Sequence, residues 1–204
     1  DEKISVVYES GEVLKGELQP YNTLPFSDFI MYVGQQPDYK NIRRLMDAHQ
    51  LLLAKNPGLG LVLVGRMNPD TIANQKYAVS RGYKNIHFTG FIPDEQRDWL
   101  FTQAKAYVFP SLMEGFGLPP LEAMSYGTPV ISSNASCLPE VLGDAAEYFN
   151  PTNIDEMAQV IQTVLADETL RKDMTTRGYS QVAKYSWRRM AEETHAIYMQ
   201  VLSR

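Results

Sequence analysis

The chain reads AYVFPSLMEGFGLPPLEAMS from residue 106 to residue 125, and this stretch decides the fold. Its first four residues are all apolar, which is typical of a β-strand buried on both faces. Gly115 and Gly117 allow the backbone to turn sharply after that strand. Pro119 and Pro120 suit the first turn of a helix, where amide donors have no internal partner. The stretch therefore predicts a buried strand, a glycine turn and a helix.

The same alternation of strands and helices extends outward from this stretch. Short apolar runs predict strands at residues 29–33, 61–64, 86–88, 106–109, 129–132 and 146–149. Helical spacing of apolar residues predicts helices between them and a helical remainder at residues 154–166, 168–185 and 187–202. Apolar strands that alternate with helices indicate a parallel sheet covered on both sides. We therefore predict an α/β fold with a doubly wound, Rossmann-like parallel sheet and a helical C-terminal tail.

Three segments are expected along the chain. Residues 1–28 form a linker or an N-terminal arm, with residues 6–8 as its one strand-like piece. Residues 29–185 form the Rossmann-like, ligand-binding domain, and residues 186–204 form a C-terminal tail helix. Because the chain begins at Asp1 without a methionine or a signal peptide, we expect it to be part of a longer protein.

Composition excludes several classes of function. The chain has 204 residues and a formal net charge of -5, so it has no basic surplus for binding nucleic acid nonspecifically. No apolar run approaches the roughly 20 residues that span a bilayer. The single cysteine, Cys137, cannot form an internal disulfide, which favours a reducing, cytoplasmic environment. No cluster of histidine, cysteine or aspartate has the spacing of metal ligands, so we expect no metal.

The glycine turn is the first candidate for chemistry. In doubly wound folds ligands bind at the carboxyl ends of the strands, and a helix that starts there offers free amides and a positive dipole end to phosphate. Glu114 precedes the turn and Glu122 lies about one helical turn beyond it. Carboxylates bind phosphate poorly, so these two should contact hydroxyls, Glu122 on a ribose and Glu114 on a sugar. The other interpretation of Glu122 is a surface residue or a helix cap.

The stretch from Glu114 to Glu122 resembles the Glu-x7-Glu motif of the glycosyl transferases group 1 family, which are retaining glycosyltransferases of GT-B fold. Flanking sequence is also similar, and it comprises residues 109–111, 123–130, 138–141, 143–145 and 185–187. The resemblance runs from residue 29 to the C-terminus and implies the C-terminal, donor-binding half of a GT-B fold. It also implies that Glu114 is catalytic and contacts the donor sugar, that Glu122 binds the ribose, and that no cofactor is needed. The diphosphate would be held by the amides of Gly115, Phe116, Gly117 and Leu118.

A second loop, after the first predicted strand, departs from this family pattern. The family carries an arginine just after the glycine that corresponds to Gly34, and a lysine a few residues later. Lys40 matches the lysine and would be catalytic, whereas Gln35 stands where the arginine is expected. An amide donates a hydrogen bond but supplies no charge, so Arg66 after the next strand is a candidate to help neutralise the diphosphate. On residue type alone, Lys40 is instead a solvated lysine ahead of a helix.

A third loop, Phe91-Ile92-Pro93, resembles the family's base-binding loop, where backbone groups around Ile92 read the nucleobase. The alternative is that Ile92 only packs inside the loop. As a whole, the resemblance implies transfer of a hexosyl group, with mannose favoured, from a GDP- or UDP-sugar to an acceptor hydroxyl in carbohydrate biosynthesis. An N-terminal acceptor domain would be needed for activity, and the whole protein would be cytoplasmic or peripheral to a membrane.

Other functions stay open at this stage. The chain alone would be a nucleotide-sugar binding module without activity, or part of a GT-B sugar-nucleotide epimerase that uses the same nucleotide contacts. A dehydrogenase of similar topology requires a glycine-rich turn after the first strand and an acidic residue after the second. The chain has Gly34-Gln35-Gln36 and Gly65-Arg66 at these places, so both features of a dehydrogenase are missing.

Overall fold

The computed structural model describes residues 4–11 and 16–203. Within this part of the chain, six parallel strands form one sheet in the order β3-β2-β1-β4-β5-β6. The strands are β1 (Phe29–Val33), β2 (Gly60–Val64), β3 (Ile86–Gly90), β4 (Ala106–Phe109), β5 (Val130–Ser133) and β6 (Ala146–Phe149). The helices are α1 (Ile42–Leu52), α2 (Pro69–Ser80), α3 (Asp94–Gln103), α4 (Leu118–Ser125), α5 (Leu138–Leu142), α6 (Ile154–Ala166), α7 (Glu168–Val182) and α8 (Trp187–Leu202). The predicted α/β fold class is confirmed.

The strand order creates a crevice at the carboxyl ends of the central strands β1 and β4. The chain moves outward from β1 to β3, then returns so that β4 pairs with the other side of β1. The connections after β1 and β4 therefore leave the sheet in opposite directions, and ligands of doubly wound folds bind at such a switch point. Because β1, β2, β4 and β5 are almost entirely buried, the sheet that carries this crevice is the rigid centre of the molecule.

Stacked aromatic rings of β1 and β4 pack in the core next to the crevice. Tyr32 of β1 lies with its ring centre 6.5 Å from that of Tyr107 and 6.3 Å from that of Phe109, both in β4. All three rings are fully buried. The Tyr32 hydroxyl donates to the backbone oxygen of Gln35 at 2.7 Å, so the loop after β1 is fastened to the core.

The sequence-based boundaries differ from the structure at a few places. Helix α5 was not predicted, because five residues with a proline at the second position are too short to show a helical period. Helix α7 ends at Val182 instead of residue 185, since the chain must turn before Ser186 caps α8 by accepting from the Arg189 amide. The difference at α7 lies at an element end, where sequence patterns are weakest.

The described residues of the N-terminal arm, 4–11 and 16–28, contain no helix or strand, so the strand-like interpretation of residues 6–8 is wrong. The arm nevertheless lies on the domain. The ring of Tyr8 is 6.2 Å from that of Phe116 and 5.8 Å from that of Tyr185. Ser125 of α4 donates to the Gly11 oxygen at 3.1 Å. The segment boundaries at residues 28 and 185 stay predictions.

No helix within residues 4–11 and 16–203 is both long enough and apolar enough to cross a membrane.

Candidate functional site

Two predicted site residues, 74 positions apart, meet at the crevice between β1 and β4. Lys40 ends a short 3-10 turn (Asp38–Lys40) after β1, and Glu114 lies in the loop after β4. The Lys40 Nζ atom is 2.6 Å from the Glu114 Oε1 atom, and the two side chains are only 15% and 12% exposed. The ammonium also lies 5.2 Å from the ring centre of Phe109. Lys40 is thus part of the crevice and not a solvated surface lysine.

A buried asparagine holds the crevice loops together. Asn41, which follows the lysine, has a left-handed backbone (φ 61°) and donates from Nδ2 to the oxygens of Pro110 at 3.0 Å and Pro151 at 2.8 Å. The Leu112 amide donates to the Tyr39 oxygen at 2.8 Å and so also joins the loop after β4 to the loop after β1. Sequence reasoning missed this residue. Its signal was an asparagine just ahead of a helix, since asparagine tolerates the left-handed region better than other side chains.

The start of α4 presents backbone donors without acceptors. Gly117 caps the helix with φ 104°, a conformation that favours glycine, and an added Cβ would lie 2.9 Å from a methyl group of Leu138. Pro119 and Pro120 in the first turn have no N–H to offer. Within the described chain, no amide of residues 115–118 donates to a backbone or side-chain acceptor. Free amides at the positive end of a helix suit a phosphate.

A groove of about 680 Å³ runs between the N-terminal arm and the glycine turn. The rings of Tyr8 and Phe116 line it, together with the carboxylates of Glu9, Glu114 and Glu140. Acidic side chains repel phosphate and accept hydrogen bonds from hydroxyls. This side of the turn therefore suits a hydroxyl-rich neutral group.

Glu122 lies on α4 beside a charged network that the sequence did not reveal. Burial raises the pKa of the Glu122 carboxyl, the nearby Arg97 opposes that rise, and Asp98 and Asp94 add to it. Arg97 also pairs with Asp98 at 2.7 Å, and the Tyr126 hydroxyl donates to the other oxygen of Asp98 at 2.6 Å. Arg97 lies on α3, far from Glu122 in sequence, so only the three-dimensional fold brings the two together.

The loop after β1 has the shape expected of it but lacks the charge. Gly34 has φ 140°, and a Cβ there would lie 3.1 Å from the Tyr32 hydroxyl, so the turn requires glycine. Gln35 follows at the carboxyl end of the strand with an exposed side chain. The site therefore contains an uncharged amide where the family pattern has a guanidinium.

Arg66 follows β2 and Ile92 follows β3, so both lie on the side of β1 that is away from β4. The Arg66 guanidinium is 5.4 Å from the ring centre of Phe91, and that ring is 70% exposed. The Ile92 side chain is 9% exposed and belongs to the hydrophobic core. Ile92 therefore offers only backbone groups to a ligand. The roles predicted for Arg66 and Ile92 stay predictions, as do those of the other site residues.

Among the described residues, no group of three or more His, Cys, Asp or Glu side chains is arranged to hold a metal ion. The expectation of chemistry without metal stays a prediction.

Comparisons with known proteins agree with the fold. The O-antigen chain mannosyltransferase B of Escherichia coli is 38% identical over 185 residues, which cover 89% of this chain and 48% of that protein. A sucrose-phosphate synthase from Thermosynechococcus elongatus superposes with a TM-score of 0.76 at 27% identity, over 87% of this chain and 46% of its own. This chain thus spans about half the length of both proteins.

A second solved structure contains little beyond the region that is equivalent to this chain. It is the C-terminal domain of a glycosyl transferase group 1 family protein from Francisella tularensis. It superposes with a TM-score of 0.70 at 25% identity, over 80% of this chain and 88% of its own. The sequence model of the glycosyl transferases group 1 family matches residues 22–181, which is most of the chain. The chain therefore belongs to the glycosyl transferases group 1 family.

Proposed function

We propose that this chain is the donor-binding half of a retaining glycosyltransferase, which transfers a hexosyl group from a nucleoside diphosphate sugar to an acceptor hydroxyl. The observation that carries the proposal is the set of unpaired amides at residues 115–118, beside the pair of Lys40 and Glu114 at the switch point of the sheet. A nucleotide sugar requires hydrogen-bond donors that bind its phosphates and hydrogen-bond acceptors that bind its hydroxyl groups. The site has the donors on one side of the turn and the acceptors on the other.

Binding of the diphosphate is assigned to the start of α4 and to Lys40. Departure of the diphosphate is the hard step, and fixed donors aimed at the developing negative charge lower its barrier. The amides of residues 115–118 require no reorganisation at that moment because the turn is already formed. Lys40, which pairs with Glu114 in this structure, adds a positive charge in a mostly buried place, where screening by solvent is weak. No metal is required in this scheme.

The two glutamates are assigned to hydroxyls on either side of the diphosphate. Glu114 lines the acidic groove beside Tyr8 and Phe116, which supports a role on the donor hexose. Glu122, four residues beyond the last of these amides, is assigned to the ribose, and Arg97 opposes the rise in its pKa that burial causes. No side chain is assigned as the base, since the leaving phosphate itself accepts the proton of the acceptor hydroxyl. The hexose then keeps its anomeric configuration.

The base end of the donor is assigned to the loop after β3. Backbone groups near Ile92 would read the base, with the exposed Phe91 ring and Arg66 beside them. Mannose is the proposed hexose, and GDP the favoured nucleotide over UDP, because the relative from Escherichia coli is named a mannosyltransferase. No residue of the site selects between the two bases by itself.

The proposed partner is an N-terminal acceptor domain. The chain spans about half of its relatives, and α8 has no buried residue, although Trp187, Tyr198 and Leu202 are large and apolar. Contact between α8 and an acceptor domain would cover these side chains. A cytoplasmic location is part of the proposal and rests on Cys137 alone, which forms no disulfide. A module that binds nucleotide sugar without transfer, and a GT-B epimerase, are the alternatives.

The proposal is tested by a donor screen on the full-length protein with GDP- and UDP-hexoses, with the anomeric configuration of the product read by NMR. Transfer with retention supports the proposal. Formation of a second sugar nucleotide without any acceptor would identify an epimerase instead, and binding without turnover of any donor would leave only the binding module.

Variants of the two glutamates test the division of roles. Glu122→Ala should weaken bare diphosphonucleotide and full donor alike, by about tenfold or more, since both contain the ribose. Glu114→Ala should mainly reduce the discrimination among sugars. Calorimetric titration of both variants with GDP and GDP-mannose, and with the UDP pair, measures this. Equal losses for nucleotide and full donor in both variants would contradict the assignment.

A further inference from the structure

Side chains from the loop after β5 hold the glycine turn from behind. Ser136 Oγ donates to the backbone oxygen of Glu114 at 2.7 Å. Cys137 has one S–H, and its Sγ atom is 3.3 Å from the same oxygen and 3.5 Å from the backbone oxygen of Phe116, so this weak donor is shared between the two carbonyl groups. The carbonyl groups of Glu114 and Phe116 therefore both point toward the loop between β5 and α5, which provides these two donors.

Fixing these carbonyl groups also fixes the amides that follow them. In a planar trans peptide, the C=O and N–H bonds point in opposite directions. The peptide that carries the Glu114 oxygen also carries the Gly115 amide, and the peptide with the Phe116 oxygen carries the Gly117 amide. Both amides are therefore turned away from the β5–α5 loop. In the described chain neither amide has an acceptor, so both remain available to a ligand.

The backbone of Ser136 supports this interpretation independently. Its φ is 58°, in the left-handed region that a serine rarely adopts. Strained backbone of this kind persists only where the surroundings enforce it, and it is frequent next to ligand sites. Burial raises the pKa of the Cys137 thiol, so the sulfur keeps its proton and stays a donor at neutral pH.

We infer that Ser136 and Cys137 are positioning residues, which aim the amides of Gly115 and Gly117 at the diphosphate of the donor; this inference rests on the function proposed above. Without the two side-chain donors the glycine turn has no fixed orientation, because glycine has the widest conformational freedom of any residue. The turn would then have to be ordered when the ligand binds, and affinity for the diphosphate group would fall.

Substitutions of Ser136 separate this role from a role in stability. Ser136→Gly removes the hydroxyl but relieves the left-handed strain, so its melting temperature should be no lower than that of the wild type. Its affinity for GDP or UDP should nevertheless fall about tenfold, while the affinity for guanosine or uridine stays within about twofold. Ser136→Asn keeps a donor and tolerates the left-handed region, so it should retain most of the affinity. Cys137→Ala should lower the affinity less, because a thiol is a weaker donor than a hydroxyl.

Asn85→Gly is the matched control. Asn85 also has a left-handed backbone (φ 57°), but it precedes β3 at the opposite end of that strand from the crevice. Its substitution should change neither nucleotide nor nucleoside affinity.

The possible outcomes distinguish the inference from the proposed function. Wild-type binding of the diphosphate, selective loss in Ser136→Gly and recovery in Ser136→Asn would support it. Wild-type affinity for the diphosphate in Ser136→Gly, or equal losses for diphosphate and nucleoside, would overturn the inference and leave the proposed function standing. Failure of the wild type to bind any of the four ligands would overturn the proposed function, and the inference with it.

Discussion

At the scale of single residues, the pair of Lys40 and Glu114 is the most informative contact. Both charges are held away from most solvent, so each depends on the other for compensation. Removal of one partner leaves an uncompensated charge in a mostly buried place, whereas removal of both leaves none. The stability of the folded chain should therefore respond to the two substitutions in a strongly non-additive way.

A double-mutant cycle with Lys40→Met and Glu114→Gln measures this coupling. Urea unfolding of the four proteins should give a favourable coupling free energy of about 1–3 kcal/mol. The exposed pair of Lys172 and Glu168 on α7 is the control and should show no measurable coupling, since solvent screens it. Additive effects at Lys40 and Glu114 would mean that the ion pair does not hold the crevice together.

A second prediction at this scale concerns His49, which is fully buried. Its Nε2 atom donates to the Leu59 oxygen at 3.1 Å and its Nδ1 atom accepts from Gln50 at 3.0 Å, so the neutral ring is satisfied on both sides. Burial lowers the pKa of His49 from 6.5 to about 4, although the bond to Leu59 opposes that shift. The unfolded chain therefore binds more protons between these values, and the folded state loses stability as the pH falls through them.

Between pH 7.5 and pH 5.0, this histidine should reduce the free energy of unfolding by about 2 kcal/mol. Urea unfolding of the wild type and of His49→Gln at both pH values isolates the effect, because carboxylate contributions are common to both proteins. The pH dependence of the variant should be smaller by that amount. An equal pH dependence in both proteins would show that His49 is not responsible.

Residue identities were predictable from sequence only where the chemistry is local. The glycine turn, the helix start and the two glutamates follow one another in the chain, so their arrangement could be read from the order of residues. Lys40 could be placed in the site only through the family resemblance. The contacts made by the side chains of Arg97 and Ser136 could not be predicted, because their partners lie on other elements.

At the scale of elements, the crevice depends on how loops are tied to each other. Asn41 contributes the main tie, since its side chain bonds the loops after β4 and β6 while its own backbone follows the turn after β1. The Arg44 guanidinium donates to the remaining Asn41 oxygen at 2.9 Å. Both polar atoms of this buried side-chain amide are thus paired, and its Nδ2 atom joins two loops near the predicted site.

Asn41→Gly tests this tie without adding backbone strain, because glycine adopts the left-handed region freely. Loss of the buried hydrogen bonds should lower the free energy of unfolding by about 2–3 kcal/mol. The affinity for a nucleoside diphosphate should also fall, since Lys40 would lose its support. Asn85→Gly, which removes a single bond near the surface, should have a small effect in both measurements. Equal effects of the two substitutions would contradict a special role for Asn41.

The four central strands, β1, β2, β4 and β5, were predicted well because burial on both faces gives a strand a continuous apolar signal. All six strands and seven of the eight helices within the described chain correspond to sequence patterns. The exception, α5, owes its position to tertiary packing, with Leu138, Val141 and Leu142 buried against the rest of the domain. A segment of five residues contains too little periodicity to reveal such packing.

At the scale of the whole molecule, the strand order was the feature that sequence alone did not give. Alternating strands and helices indicated a doubly wound sheet, but the pairing of β4 with β1 is a long-range contact that no local pattern encodes. That pairing brings together the loops of Lys40 and Glu114. The fold is therefore what turns separate motifs into one candidate site for a nucleoside diphosphate.

The most direct test of this central claim is a titration of the chain with GDP and with UDP, followed by amide chemical shifts in ¹H–¹⁵N NMR spectra. The account predicts that at least one nucleotide binds in a single saturable step. It also predicts that the largest shifts arise from the amides of residues 115–118 and from the loop around Lys40. Saturable binding with shifts confined to another surface, or no shifts with either nucleotide at millimolar concentration, would contradict it.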